Sequence, residues 1–300
     1  MHNYSMKNKA ICQAIERLTG GQNGEHETTL SGVRLYRIDA NTKPEPFLYK
    51  ASLILIFQGA KVGYLLGREL QYNADNYLVL AAPIPLECQT FASKEKPLLV
   101  VVVDIDITLL QHIWTLLDQE TLAKGMRKAM EARVAEATPQ TPAMHGLVER
   151  LLTHLERPEA AKILGRDLIK ELYYYVLTGD QAPALFALAD RNSSFTRIAQ
   201  TLTYIEQHLA EPFTVEHLAE LSGMSLVTFH RLFKKVTGDS PVQFIKKTRL
   251  SNAKNLIQNH GMKASLAANS VGYESASQFS REFKRLFGMT PSEQKAAQLA

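Results

Sequence analysis

Arginine and lysine set at fixed intervals along a helix can read nucleic acid, and this chain carries such an arrangement twice. Phe229-His230-Arg231-Leu232-Phe233-Lys234-Lys235 follows Gly223-Met224-Ser225 and precedes Gly238 and Pro241. Phe279-Ser280-Arg281-Glu282-Phe283-Lys284-Arg285 follows Gly272-Tyr273-Glu274-Ser275 and precedes Gly288 and Pro291. Ser225 and Ser275 are 50 residues apart, and Phe, Arg, Phe, Lys, Gly and Pro all return at that offset. At ~100° per residue, Phe229, Leu232, Phe233 and Val236 fall on one side of the first helix. Val227, Arg231 and Lys234 fall opposite, with His230 and Lys235 beside them. The second helix sets Phe279, Phe283 and Leu286 against Ser277, Arg281 and Lys284, flanked by Ser280 and Arg285. Arg at the centre of such a face suits a bidentate contact to guanine, and Lys suits a phosphate. Ser277 and Gln278 are able to hydrogen-bond base edges. One basic face is commonly just a solvated face; two with matching caps, turns and cations predict a pair of duplex-reading helices.

The flanking residues supply what is needed to hold those faces. Thr214 is placed to cap a helix whose apolar stripe is Val215, Leu218, Ala219 and Leu221. Gly223 makes the tight turn, Ser225 caps the next helix, Gly238 ends it and Pro241 opens another. Leu266, Ala267, Ala268 and Val271, then Gly272 and Ser275, repeat the scheme. Two helix-turn-helix units are thus expected at about 214–237 and 264–287, within a block of seven helices over 196–300. The helix predicted over Val242–Gln258 would be ~25 Å long at ~1.5 Å per residue. That length suits two units facing successive major grooves, which recur every ~34 Å. Residues 196–300 hold 13 Lys and Arg against 8 Asp and Glu, whereas 1–195 hold 21 against 22. The basic excess therefore sits with the repeats, in favour of a polyanionic partner.

The first two thirds read differently. Residues 7–18 form an amphipathic helix ended by Gly20-Gly21. Thr29–Ile38, Phe47–Phe57, Lys61–Leu66, Tyr77–Ala81, Leu86–Phe91 and Leu98–Asp104 read as strands. Pro, Gly and Asn turns punctuate them at roughly ten-residue spacing, the pattern of a β-sandwich or small barrel. Helices are expected at Ile107–Leu117, around the single Trp114, then at Met144–Leu155 and Ile163–Leu177. The last carries Ile163, Leu164, Leu168, Leu172, Val176 and Leu177 in one apolar stripe. That stripe suits either the barrel or a second subunit. Gly179-Asp180 stops this helix, and the polar run Arg191–Ser194 marks the domain boundary. The fold class is α+β in two domains, a β-barrel with trailing helices over 1–190 and an all-α domain over 196–300.

Enzymatic chemistry finds little support. The histidines of the first half, His2, His26, His112, His145 and His154, are expected outside the strands, and no His-x-His occurs. No metal site and no cofactor are expected. Cys12 and Cys88, the two cysteines, suit buried free thiols in a reducing cytosol. Tyr36, Tyr49, Phe57, Tyr64 and Tyr77 are the candidates for an apolar ligand pocket, although aromatics at strand spacing equally suit a core. No secretory signal and no apolar run near ~20 residues is present, which predicts a cytoplasmic chain without a membrane span.

The C-terminal motifs carry a resemblance. Ala219-x-x-Ser222-Gly223-Met224-Ser225, Phe229-x-Arg231-x-Phe233-Lys234, Gly238-x-x-Pro241 and Arg249-Leu250-x-x-Ala253 resemble the DNA-binding domain of AraC/XylS-type regulators. So do Val271-Gly272-Tyr273-Glu274-Ser275-x-Ser277-Gln278-Phe279-Ser280-Arg281-Glu282-Phe283-Lys284 and Gly288-x-x-Pro291. The resemblance puts DNA-facing positions on Val227, His230 and Arg231, and on Ala276, Ser277, Gln278, Ser280 and Arg281. The chain departs at Ala267, where many members carry Ile or Leu. Ile56-Phe57-Gln58-Gly59-x-Lys61, Tyr77-Leu78-Val79 and Pro83-x-Pro85 resemble the cupin-like N-terminal domain of a subset of that family. The resemblance implies double-stranded DNA and RNA polymerase as partners, a small-molecule effector and a homodimer. The alternative is a cupin-type enzyme fused to a DNA-binding module. The sequence leaves the effector, the operator and the sign of regulation open.

Overall fold

The computed structural model of the protein describes residues 2–123, 134–179, 183–190, 193–258 and 260–294. The chain opens with helix α1 (His2–Thr19), which turns Ile11, Ala14 and Ile15 inward. Nine strands follow: β1 (Gly24–Glu27), β2 (Val33–Ile38), β3 (Glu45–Tyr49), β4 (Ser52–Gln58), β5 (Ala60–Leu65), β6 (Arg68–Asn73), β7 (Asn76–Leu80), β8 (Ile84–Phe91) and β9 (Leu98–Asp104). Helix α2 (Ile107–Leu116), strand β10 (Ala135–Pro139) and helices α3 (Pro142–Leu155), α4 (Pro158–Thr178) and α5 (Pro183–Ala189) complete this part.

The strands form a six-stranded sheet in the order β1-β2-β9-β4-β7-β10 and a four-stranded sheet in the order β3-β8-β5-β6. Central strands β4 and β9 are buried throughout Leu53–Phe57 and Leu98–Val103, because α1 covers one face while side chains pack on the other. Their register shifts between Ile56 and Gln58. Gly59 follows at φ +78°, and a Cβ there would lie 2.9 Å from the Leu98 backbone, so only glycine fits after this bulge.

Several expectations change on the structure. The predicted strand Thr29–Ile38 begins only at Val33, and Phe47–Phe57 is two strands parted at Lys50 and Ala51. Three strands were not anticipated: β1 and β10 are short and polar, and β6 turns only Leu70 and Tyr72 inward. β1 contains His26, so the expectation that every histidine lies outside the strands fails there. Helix α5 was also missed; its seven residues are too few to show a period, and Ala184–Ala189 are all buried. In α4 the buried stripe is Ala161, Gly165, Leu168, Ile169, Leu172, Tyr173, Val176 and Leu177. Ile163 and Leu164 are 73% and 43% exposed, contrary to the expected stripe. Asp180, Arg191 and Asn192, used to place the helix stop and the boundary, lie outside the described residues.

By contacts the chain divides into two compact units, one of 1–44, 50–81 and 88–196, the other of 197–300 with 45–49 and 82–87. In the second unit α6 (Ser194–Gln207) leads to α7 (Val215–Leu221), α8 (Leu226–Thr237), α9 (Pro241–Gln258), α10 (Ala264–Ser270) and α11 (Ala276–Phe287). A last helical stretch begins at Pro291 and is described to Gln294.

Candidate nucleic-acid interface

The two repeated segments fold alike. Thr214 accepts a hydrogen bond from the His217 amide and starts α7, and Ser225 accepts one from the Thr228 amide and starts α8. Between them Gly223 takes φ +62°, and the Met224 amide donates to Ala219 O at 3.0 Å. In the second unit Gly272 takes φ +81° and the Tyr273 amide donates to Ala268 O, also at 3.0 Å. Ser275 caps α11 by accepting from the Gln278 amide. Gly238 and Gly288 end α8 and α11 in the left-handed region.

Each reading helix is anchored by two phenylalanines. Phe229 and Phe233 have no exposed surface, and Phe233 meets Phe244 of α9 edge-on at 5.4 Å between ring centres. Phe279 and Phe283 sit 5.4 Å apart in a core with Leu250, Ala253, Ile257, Ala267, Ala268 and Val271. Ala267 is fully buried there. Burying a Phe side chain contributes ~1.5–3 kcal/mol, so the inner stripe fixes which side of each helix faces outward.

Outward stand Val227, His230, Arg231, Lys234 and Lys235 on α8, all exposed. Ala276, Ser277, Gln278, Arg281 and Lys284 are exposed on α11, and Ser280 is half-buried. Val227 is 80% exposed. Among the described residues no ion pair within 4 Å holds Arg231, Lys234, Lys235, Arg281, Lys284 or Arg285, whereas Lys246 and Lys247 of α9 are paired with Glu282 and Asp239. The cations of the two reading faces thus remain available to an external anion, with apolar or hydroxyl side chains among them. That combination suits base edges bordered by phosphates.

Two further features were not drawn from the sequence. Arg249 of α9 donates to Glu211 O at 2.7 Å and to Gly272 O at 3.4 Å, with its guanidinium 5.9 Å from the centre of the Phe213 ring. It ties the loop before the first unit to the turn of the second. Glu282 accepts hydrogen bonds from Lys246, Tyr273 and Gln278. Burial alone would raise its pKa, but these donors outweigh burial and hold it below the usual carboxylate value. Glu282 lies inside the second repeated segment and Arg249 opens the motif Arg249-Leu250-x-x-Ala253, but residue type and spacing do not show which groups the fold brings to them.

The aromatic candidates of the β unit do not converge on one cavity. Tyr36 is paired with Val100, which also pairs with Ile56, and so lies on one face of the large sheet. Tyr77 lies on the opposite face, because its neighbour Leu78 pairs with Ile54. Phe57 is buried and meets His145 edge-on at 5.4 Å. It lines a cavity of about 820 Å³ together with Asn8, Cys12, Gln13, Gln58 and Leu99. Tyr49 is buried against Phe47, and Tyr64 is 38% exposed, outside any interior. The Tyr36 hydroxyl accepts from Arg34, and burial, helped by Glu25 and Asp104, raises its pKa. Cys12 and Cys88 are free thiols, and burial, then Glu16, push Cys12 up to about 11. Among the described residues no group of three or more His, Cys, Asp and Glu is placed to hold a metal ion.

Two β-sheets followed along the chain by a helical block with twin helix-turn-helix segments define a class of two-part regulators. The chain belongs to the AraC-type transcriptional regulators: residues 29–184 match the family's N-terminal model, described as AraC-type transcriptional regulator N-terminus. Residues 218–297 match a helix-turn-helix domain model. The transcriptional activator RhaS of Escherichia fergusonii is 29% identical over 146 residues, 49% of this chain and 52% of that protein. The virulence regulon transcriptional activator VirF of Yersinia enterocolitica is 29% identical over 177 residues, 57% of this chain and 65% of that protein. The chain thus spans about half to two thirds of the length of these relatives. The apo form of ToxT from Vibrio cholerae is 13% identical and superposes with a TM-score of 0.61, covering 91% of this chain and 99% of that one. At that identity the likeness shows the fold alone.

Proposed function

We propose that the protein is a sequence-specific DNA-binding transcription regulator, without enzymatic activity, that reads two successive major grooves of a duplex with α8 and α11. The observation that carries this reading is the matched pair of exposed basic faces on identically capped helices. Arg231 and Arg281 are the base-reading cations, and Lys234, Lys235 and Lys284 meet phosphates. Val227, His230, Ala276, Ser277, Gln278 and Ser280 complete the two faces. Because Val227 and His230 stand where the second helix has Ser277 and Ser280, the site has two unlike half-elements of ~15–20 base pairs in all.

The β unit is read as the sensor for a small-molecule effector. ToxT has been solved with an unsaturated fatty acid bound, at a TM-score of 0.62 and 13% identity, which supports a ligand role for this fold. The exposed Ile163, Leu164 and Tyr174 of α4 support a homodimer. RhaS and VirF are activators by name, which supports activation through RNA polymerase. Among the described residues no helix is long and apolar enough to cross a membrane, in keeping with action in the cytoplasm. The test is a gel-shift titration against duplexes selected from a random library. Wild type is expected to enrich one bipartite sequence. Unchanged binding of that sequence by both Arg231→Ala and Arg281→Ala would sink the assignment of the reading helices.

A further inference from the structure

The two reading helices share a frame, but only one is braced. Glu282 of α11 has 19% of its side chain exposed. Its Oε1 accepts from Lys246 Nζ of α9 at 2.8 Å, and its Oε2 from the Tyr273 hydroxyl at 2.7 Å. One turn earlier on the same helix, Gln278 Nε2 donates to Glu282 Oε1 at 3.4 Å. At the 50-residue offset the first helix has Leu232 in place of Glu282 and Thr228 in place of Gln278. There the Thr228 hydroxyl accepts from Ser225 Oγ at 2.9 Å, and the residue one turn on is the apolar Leu232. Among the described residues the brace therefore belongs to the second unit alone.

A glutamine amide offers two N–H donors and one carbonyl, and a free side chain presents them in either order. A carboxylate accepts and cannot donate. It selects the order in which the nitrogen faces Glu282 and the carbonyl faces away. One N–H and the carbonyl are then left, the pair that adenine matches in the major groove with N7 and its N6 amino group. Guanine presents two acceptors at those positions and would be opposed by the carbonyl. Lys246 and Tyr273 hold the carboxylate from α9 and from the turn, so its place is set before DNA arrives.

We propose that Glu282 is a specificity-determining positioning residue, which fixes the Gln278 amide for an adenine in the groove faced by α11 without touching DNA itself. This rests on the reading of α11 as a DNA-contacting helix.

The test uses the full chain and a random-sequence duplex library, with bound fractions sequenced for wild type, Glu282→Gln, Gln278→Ala and the double variant. Thermal unfolding is followed for each. Glu282→Gln keeps the size but lets either amide order form. Expected is loss, on the order of tenfold, of adenine preference at one position of the second half-element. Preference elsewhere and binding of nonspecific duplex stay unchanged, and the double variant is no worse than Gln278→Ala. Lys246→Met, which loosens the brace from another helix, should weaken preference at that same position. A uniform loss across all sequences, or an unaltered base profile, overturns the proposal. If wild type itself enriches no sequence, the DNA reading fails first, and that outcome is visible before any variant is compared.

Discussion

Arg231 and Lys234 lie three residues apart on one exposed face, and in the proposed reading their chemistry divides the work. A guanidinium fork can hold guanine at two points, while an ammonium acts as a point charge on a phosphate. Arg231→Ala is expected to cost ~1–3 kcal/mol against the preferred duplex and to flatten base preference locally. Lys234→Ala should weaken every sequence alike and lower the slope of log K against log salt by about 1. Anisotropy titrations at several salt concentrations separate the two, and a base-specific effect of Lys234→Ala would contradict the division. At the other end of the chain Cys12 donates its thiol to Phe57 O at 3.6 Å. Burial, then Glu16, move its pKa from 9.0 to about 11. The shift is upward, so the stability it contributes is complete below about 9 and is lost between 9.0 and about 11. Iodoacetamide at pH 8.5 should alkylate Cys12 far more slowly in the native chain than in urea; equal rates would refute the protected thiol.

At the level of elements, the turn of the second helix-turn-helix unit leaves no room for a side chain. Gly272 has φ +81°, and a Cβ there would meet Leu209 O at 2.8 Å and Ala210 O at 2.9 Å. Its carbonyl also receives Arg249. Gly272→Ala adds left-handed strain of ~1–2 kcal/mol to a clash with two backbone oxygens. Footprinting should then show the second half-element losing protection while the first keeps it. Equal loss at both would mean that the turn supports the whole block rather than its own unit. The turn, its caps and both Phe pairs were legible in the sequence, because glycine, serine and phenylalanine each do one local job there. The network around Glu282 was not legible, since Lys246, Tyr273 and Gln278 are brought to it by three different segments. Among the strands the strongly apolar β9 was legible, and β4 was legible as an apolar run but not its separation from β3. Strands β1, β6 and β10 were not, because an edge or half-exposed strand carries little alternating signal. The aromatic candidates are dispersed over different faces for a related reason. Residue type does not reveal the face, and the irregularity at Ile56/Gln58 disturbs the alternation beside Phe57.

For the molecule as a whole, one chain offers two unlike reading helices and a modest basic excess, 13 cations against 8 acids over 196–300. Nonspecific attraction from so mild a charge is limited, so selective occupancy gains most from joining two chains on one stretch of DNA. In the proposed homodimer, helix α4 is the surface that joins the two chains. Its inner stripe is fully used, with Leu172 and Tyr173 buried and Gly165 so close to Leu30 that a Cβ would lie 2.6 Å from that side chain. Ile163 and Tyr174, eleven residues apart and therefore ~20° apart around the helix, remain 73% and 49% exposed. Scattered exposed apolar residues are ordinary, but an aligned pair on a long helix is the pattern of a helix-to-helix contact. A charge there would have to be desolvated in the contact, at a cost of several kcal/mol, and would disturb nothing in the inner stripe. Ile163→Asp should leave the unfolding transition in place and convert a dimer to a monomer in sedimentation equilibrium. It should also weaken binding to paired sites far more than to a single site. A variant that sediments as wild type would remove α4 as the joining surface and leave the single chain as the reading unit.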